Sequence, residues 1–281
     1  HALDENGYEG RYLFQTFGTS ELGGKLMAEG ADIEADLVTM SSFYLDSAQA
    51  ENEMFLDLAF EAPTLEETPE YYRPITSQEG AIFINTQEME ALNLPVPESI
   101  RDLADPVYEG EISVTDIKSS STAWLLIQAL LSEYDEAEAK EILTGIYENA
   151  GPHIEDSGSG PIKKVRSGEV AVGFGLRHQA VSDKEDGMPI DYIDPLEGNF
   201  ALTESVAVID KGEETHSLAM EMAECIIKNA RVELQETYPN ALYEGETTNE
   251  TNQSAYPKKF PEPLTADLLS EHQEFSESCK P

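Results

Sequence analysis

The sequence predicts an α/β fold, and three observations carry that reading. Short β-prone runs alternate with helical stretches from the first residues onward. Four of the strand-to-helix junctions share one composition, a short stretch of Gly, Ser or Thr. The chain has 281 residues, 40% of them hydrophobic, enough for one large domain or two of ordinary size with buried cores.

The elements follow in order. His1–Gly7 reads as the last turn of a helix stopped by a glycine, as if the chain starts partway into a domain. Tyr12–Phe17 is aromatic and β-prone, and after Gly18-Thr19-Ser20 a helix runs to about Ala28. Asp36–Met40 reads as a buried strand. It ends in Ser41-Ser42 before a helix that carries Met54, Phe55 and Leu58. Ala62–Pro74 is a surface connection, Ala81–Ile84 a strand, and the helix after it ends near Leu94, before Pro95 and Pro97. Ile112–Val114 is a strand leading through Asp116 and Ser119–Thr122 into a helix from Ala123 to about Glu133, apolar nearly all round and so buried on several sides. Ala139, Ile142, Leu143, Ile146 and Tyr147 mark one face of an amphipathic helix. The loop Asp156–Pro161 precedes a helical segment with Ile162 and Val165. Strands follow at Val170–Phe174, Ile190–Ile193 and Ser205–Ile209. Beyond Lys211 the pattern is helical, apart from a polar insertion around 244–254.

Charge narrows the partners. With 56 acidic and 17 basic residues the net charge is −39, which excludes nucleic acid, whose backbone is bound by Lys and Arg, and disfavours an anionic membrane surface. Such a surface is solvated and self-repelling, suited to salty surroundings. No Asp-x-Asp-x-Asp-Gly spacing marks a calcium loop. Cys225 recurs with Leu218, Met222 and Ile226 at helical spacing as a core residue, Cys279 lies in a polar tail, and no metal site or cofactor motif is present. No apolar run approaches the roughly 18–20 residues of a membrane span.

The candidate functional residues lie in the Ser/Thr/Gly junctions: Thr19 and Ser20; Ser41 and Ser42; Ser120, Ser121 and Thr122; Ser157, Gly158 and Ser159. The first turn of a helix offers unpaired N–H groups and a partial positive charge, so small hydroxyl residues there form an anion cradle. The same residues also serve as ordinary helix caps. Arg177 and His178, directly after the strand Val170–Phe174, are placed to hold a phosphate or carboxylate, or else to pair with one of the many surface acids. Gly23-Gly24-Lys25 lacks the spacing of a nucleotide loop, and no Gly-x-Gly-x-x-Gly follows a strand. An enzyme reading finds no Gly-x-Ser-x-Gly elbow, no His-Glu-x-x-His and no Cys with a His partner.

The run Arg101–Asp116 (RDLADPVYEGEISVTD), with Ser119–Ala123, resembles the second-lobe start of type 2 periplasmic binding proteins, in the branch of ferric-iron, 2-aminoethylphosphonate, sugar-phosphate and thiamine binders. Ser157-Gly158-Ser159, Gly168–Gly173, Pro195–Gly198 and Glu204–Val208 continue in the order of that family, and Gly18–Leu22 with Ala35–Val38 resemble its first-lobe signature. The resemblance implies a two-lobed fold, each lobe a central sheet flanked by helices and joined by crossover strands. Lobe 1 would comprise residues 1–84 and the return at 204–281, and lobe 2 residues 85–203. It also implies a monomeric, non-enzymatic solute receptor, periplasmic or extracellular and lipid-anchored in some members, that delivers a small anionic solute to the membrane permease of an ABC transporter. Where ferric-iron binders carry adjacent tyrosines this chain has Arg177-His178, and Tyr71-Tyr72 lies elsewhere. That pattern favours a phosphonate or sugar phosphate over iron or thiamine, with Glu197 available for an amine or hydroxyl of the same ligand. The rival from another class is the ligand-sensing domain of an intracellular regulator, which uses the same fold.

Overall fold

The computed structural model describes residues 1–247 and 252–281. In chain order its first half holds α1 (Thr19–Glu29), β1 (Leu37–Ser41), α2 (Ser42–Asn52), β2 (Arg73–Asn85), α3 (Thr86–Leu92), β3 (Ile112–Thr115), α4 (Thr122–Glu133) and α5 (Glu136–Ala150). Then come β4 (Ile154–Glu155), α6 (Gly160–Arg166), β5 (Val172–Leu176), α7 (Arg177–Glu185), β6 (Ile190–Ile193), β7 (Ala201–Val208), α8 (Ser217–Cys225), α9 (Arg231–Thr237) and α10 (Ala266–Glu277). The chain divides into two compact units. Unit 1 is His1–Ser77 with Leu202–Gln253, and unit 2 is Gln78–Ala201 with Ser254–Pro281.

In unit 1, β1 pairs antiparallel with β7, Val38 opposite Ala207. Strand period sends alternate residues of β7 to opposite faces. Ala207, with Ile209 just beyond the strand, joins Leu26, Met40, Leu45 and Met54 on one face, while Val206 and Val208 join Ile75, Ala219, Ala223 and Tyr243 on the other. In unit 2, β2 is flanked by antiparallel β5 and β6, and β3 runs parallel to both β5 and β4. Phe83, Ile162, Val165, Val170, Ala180 and Ile190 form a core there. All nine residues from Thr122 to Leu130 of α4 are buried, as its all-round apolarity predicts.

Several expectations need correction. Tyr12–Phe17 forms no strand, and Leu13 and Phe14 are 97% and 79% exposed. β propensity is realised only against a partner strand, and none lies beside this stretch among the described residues. Helix α2 stops at Asn52 because Glu53 takes a left-handed conformation (φ 48°), so Met54, Phe55 and Leu58 reach the core from extended chain. Strand β2 begins at Arg73, well before Ala81, its first half hidden from a hydrophobicity reading by Thr76, Ser77, Gln78 and Glu79. Cys279 is buried, not in a solvated tail. Residues 254–281 cluster with unit 2, where α10 packs on α4 and α5. Trp124 Nε1 donates to His272 Nδ1 at 2.7 Å, and the Tyr147 and Ser276 hydroxyls meet at 2.6 Å. The polar insertion expected around 244–254 falls partly outside the described residues. Among the described residues no helix is long and apolar enough to cross a membrane.

Candidate functional site

In unit 2 the parallel strands β3, β4 and β5 end at one sheet edge, and the helices that follow them, α4, α6 and α7, begin there. In α/β sheets this edge is where ligands sit. The loops are in contact. A Cβ on Gly158 would lie 2.3 Å from Thr122 Oγ1 and 3.3 Å from Ser120 Oγ, so only glycine lets the 157–160 loop close on the start of α4. Ser119 Oγ donates to Asp156 Oδ1 (3.0 Å), and Gly175 approaches the Gly158 carbonyl. Ser120 and Thr122 are buried, Ser121 less so, and Ser157 and Ser159 share a 3.2 Å hydroxyl contact. Asp116 secures the loop from below: its carbonyl accepts the Ser119 and Ser120 N–H groups and its carboxylate accepts Lys118 N–H and Lys280 Nζ. Burial opposes ionisation of Asp116, but the Lys280 and Lys118 interactions outweigh it and hold its pKa below the ordinary value.

Three of the residues singled out above, Arg177, His178 and Glu197, are buried or partly buried in unit 2. Arg177 is 4% exposed; its Nε donates to Asp194 Oδ1 at 2.7 Å and its Nη2 to Oδ2 at 3.3 Å, and its guanidinium lies 4.7 Å from the Tyr192 ring centre. Of the two readings open to it, pairing with an acid is the one this geometry displays. The fork that would grip a solute anion already grips Asp194. His178 is partly buried, and burial lowers its pKa to about 4, so at neutral pH it adds no positive charge. Glu197 is 1% exposed and accepts from Ile100 N–H (2.8 Å), Arg101 N–H (3.0 Å) and the Tyr134 hydroxyl (2.8 Å). It caps the short helical turn Arg101–Ala104, with both oxygens engaged.

In unit 1, Ser41 is buried at the end of β1, and Ser42 Oγ binds Thr203 O (3.1 Å) and Ser205 Oγ (2.8 Å), tying the start of α2 to β7. Thr19 and Ser20 open α1, where Ser20 bonds the Tyr44 hydroxyl. The Tyr44 ring lies so close to Gly23 that a Cβ there would meet it at 2.5 Å. The Tyr71 hydroxyl donates to Asp46 Oδ1 at 2.6 Å, and the Tyr71 and Tyr72 rings meet edge to face. Burial, reinforced by Asp46, raises both phenols well above their ordinary pKa, so neither is a phenolate at neutral pH.

How the helices begin separates two groups. Asn85, Asp135, His216 and Thr265 each cap their own helix with a side-chain bond to its first turn. At α1, α2, α4 and α6 the N-cap residues Gly18, Ser41, Ser121 and Ser159 make no such bond, and neither do Leu176 at α7 and Ala230 at α9. The Ser/Thr junctions are therefore not used as side-chain caps at those positions, although Ser120 Oγ accepts Thr122 N–H at a long 3.4 Å. Asp194, Asn199 and Asp46 escaped the sequence reading, since single polar residues in so acidic a chain carry no pattern. The strand-end position of Arg177 did not point to its partner.

Two solved structures share the fold over nearly the whole chain. The periplasmic binding protein AfuA from Actinobacillus pleuropneumoniae, with fructose-6-phosphate bound, has TM-score 0.70 at 19% identity, covering 100% of this chain and 91% of its own. Iron-bound HitA from Pseudomonas aeruginosa has TM-score 0.71 at 18% identity, covering 99% and 94%. The fold is thus that of the two-lobed periplasmic binding proteins. An uncharacterised protein of Haemophilus influenzae is 26% identical over 203 residues, 68% of this chain and 58% of that protein, so the match spans little more than half the relative's length. The chain belongs to the bacterial extracellular solute-binding proteins, whose family model matches residues 45–236. It is a member of a family of binding proteins, not of enzymes.

Proposed function

We propose that this protein is the exported receptor of an ABC importer and binds a small phosphorus-containing anion, an aminoalkylphosphonate or a sugar phosphate. The observation that carries the reading is the set of helix starts at α1, α2 and α4. Each leaves its first-turn N–H groups without a side-chain cap at the N-cap position, amid small hydroxyl residues, while other helices of the same chain are capped. Backbone N–H groups and the positive end of the helix dipole bind phosphate without a lysine or arginine. This matters because Arg177 is committed to Asp194 and His178 is neutral. Thr19, Ser20, Ser41, Ser42, Ser120, Ser121, Thr122, Ser157, Gly158 and Ser159 remain the proposed solute contacts, while Arg177 and Glu197 are engaged by partners inside unit 2 and His178 is neutral. The fructose-6-phosphate in AfuA is consistent with this class.

In this reading the protein works outside the cytoplasmic membrane as a monomer and hands its solute to the transporter's permease. The test is a thermal-shift and calorimetric screen with 2-aminoethylphosphonate, hexose phosphates, inorganic phosphate, ferric citrate and thiamine. A phosphorus-containing anion should give the largest stabilisation. Stabilisation by ferric citrate or thiamine alone would overturn the assignment.

A further inference from the structure

The chain passes between its two units at three places, after Ser77, after Ala201 and after Gln253. On the unit 2 side, one polar cluster, buried at Asn199 and Arg177 and open at Ala255, holds all three passages. Gly80, just past the first, donates its N–H to Phe200 O (3.0 Å) and accepts Asn199 Nδ2 on its carbonyl (2.9 Å). Asn199, just before the second, is 1% exposed; Nδ2 also donates to Asp194 Oδ1 (2.9 Å), and Oδ1 accepts Tyr256 N–H (3.2 Å). Just past the third, Ala255 N–H donates to Asp194 Oδ2 (3.0 Å), and Ser254 Oγ donates to Glu79 Oε1 (2.8 Å), back on the first passage. Backbone contacts between Asn199 and residues 256 and 258 run alongside, and Gly198 sits against the Lys258 stem at φ 120°, a conformation that glycine accepts. Arg177 closes the cluster through its fork to Asp194, and it is also the first residue of α7, whose strand-end loop meets the 157–160 loop.

We propose that Arg177, Asp194 and Asn199 form a clamp that binds the unit 2 ends of the three connections into one piece and joins them to the solute loops, so that they set how freely the units reorient instead of touching solute. Ion pairing supplies the rigidity: Asp194, its side chain 11% exposed, receives four donors from Arg177, Asn199 and Ala255. These are positioning residues. Their coupling to affinity rests on the solute-binding reading above; their effect on the unliganded protein does not.

The experiment measures the distance distribution between spin labels on Glu90→Cys and Glu236→Cys, exposed sites in units 2 and 1; both native cysteines are buried. Without solute, Asp194→Asn should broaden the distribution relative to the parent, and Ser254→Ala, which removes only the bond to Glu79, should broaden it less. Ser254→Ala keeps the test open if Asp194→Asn fails to fold. Titration with 2-aminoethylphosphonate should then show Asp194→Asn and Arg177→Lys both weaker, by about ten-fold, as expected when the competent conformation is less populated. Unchanged distributions in the variants that fold overturn the clamp. So does tighter binding in Asp194→Asn, which would mean that freeing Arg177 creates a solute cation. If the parent binds none of the anions, only the solute class falls, and the label distances still decide the clamp.

Discussion

Arg177 and Asp194 form a two-pronged ion pair in unit 2, Nε to Oδ1 at 2.7 Å and Nη2 to Oδ2 at 3.3 Å, with side chains only 5% and 11% exposed. Two opposite charges taken out of water together are tolerated; one left alone is not. The sequence left this arginine either to hold an anion or to pair with an acid; here it is buried and paired with one.

Arg177→Ala should therefore destabilise the protein, by about 3 kcal/mol, the low end for breaking a buried pair because Asn199 and the Ala255 N–H still serve Asp194. Arg177→Lys should lose part of this, keeping charge but not the fork. Urea denaturation of the purified variants reads both. A loss below about 0.5 kcal/mol, the usual surface value, would show that the pair is not structural.

Glu197→Gln should cost about 1–3 kcal/mol, because its amide nitrogen cannot accept the N–H that Glu197 Oε2 now takes from Ile100. Solute affinity should stay unchanged, since both carboxylate oxygens are spent inside unit 2. Parallel melts and calorimetric titrations separate the two effects; a selective loss of affinity would return Glu197 to the solute.

Gly158→Ala should push the 157–160 loop away from α4, since the new methyl would overlap Thr122 Oγ1. The overpacking costs about 1–3 kcal/mol. If these loops hold the solute, affinity falls as well while circular dichroism shows a folded protein. Retained affinity would remove the 157–160 loop from the proposed site.

His272 is buried, which lowers its pKa from 6.5 to about 4. Between these values the unfolded chain binds a proton that the native one does not, so stability falls as pH drops through that window, by about 3 kcal/mol in total. The neutral ring is also what accepts the Trp124 N–H. Melting temperatures from pH 7 to pH 4, followed through Trp124, the sole tryptophan, should show a steeper decline in the parent than in His272→Gln. Equal slopes would mean that His272 does not titrate differently on folding.

Salt should stabilise the fold. Against 56 acidic residues stand 17 basic ones, and most of those are already in ion pairs, from Lys25 with Glu29 to Lys280 with Asp116. The remaining carboxylates repel one another, and screening shortens that repulsion from about 10 Å at 0.1 M to about 3 Å at 1 M. The midpoint of urea unfolding should rise with sodium chloride over this range; a fall would show that the ion pairs outweigh the repulsion.

What the sequence by itself determined is the local grammar. Alternation of β-prone and helical runs placed β1, β3, β6, β7 and the helices α1 and α3 to α6, because side-chain period and helix-start chemistry act within a few residues. The order of motifs along the chain was enough to indicate the two-lobed family. Tertiary structure alone decided which of these elements meet. Among the described residues Tyr12–Phe17 has the composition of a strand and no partner to become one; Cys279 has polar neighbours in sequence and is buried just past α10. Arg177 could have faced solvent or a buried acid, and nothing within several residues of it distinguishes the two. Its partner lies 17 positions on, and the bonds around that partner reach Gly80 and Ala255, near the starts of the two chain segments of unit 2. A charge keeps the same identity in either setting, and the desolvation that fixes its role is a property of the folded neighbourhood.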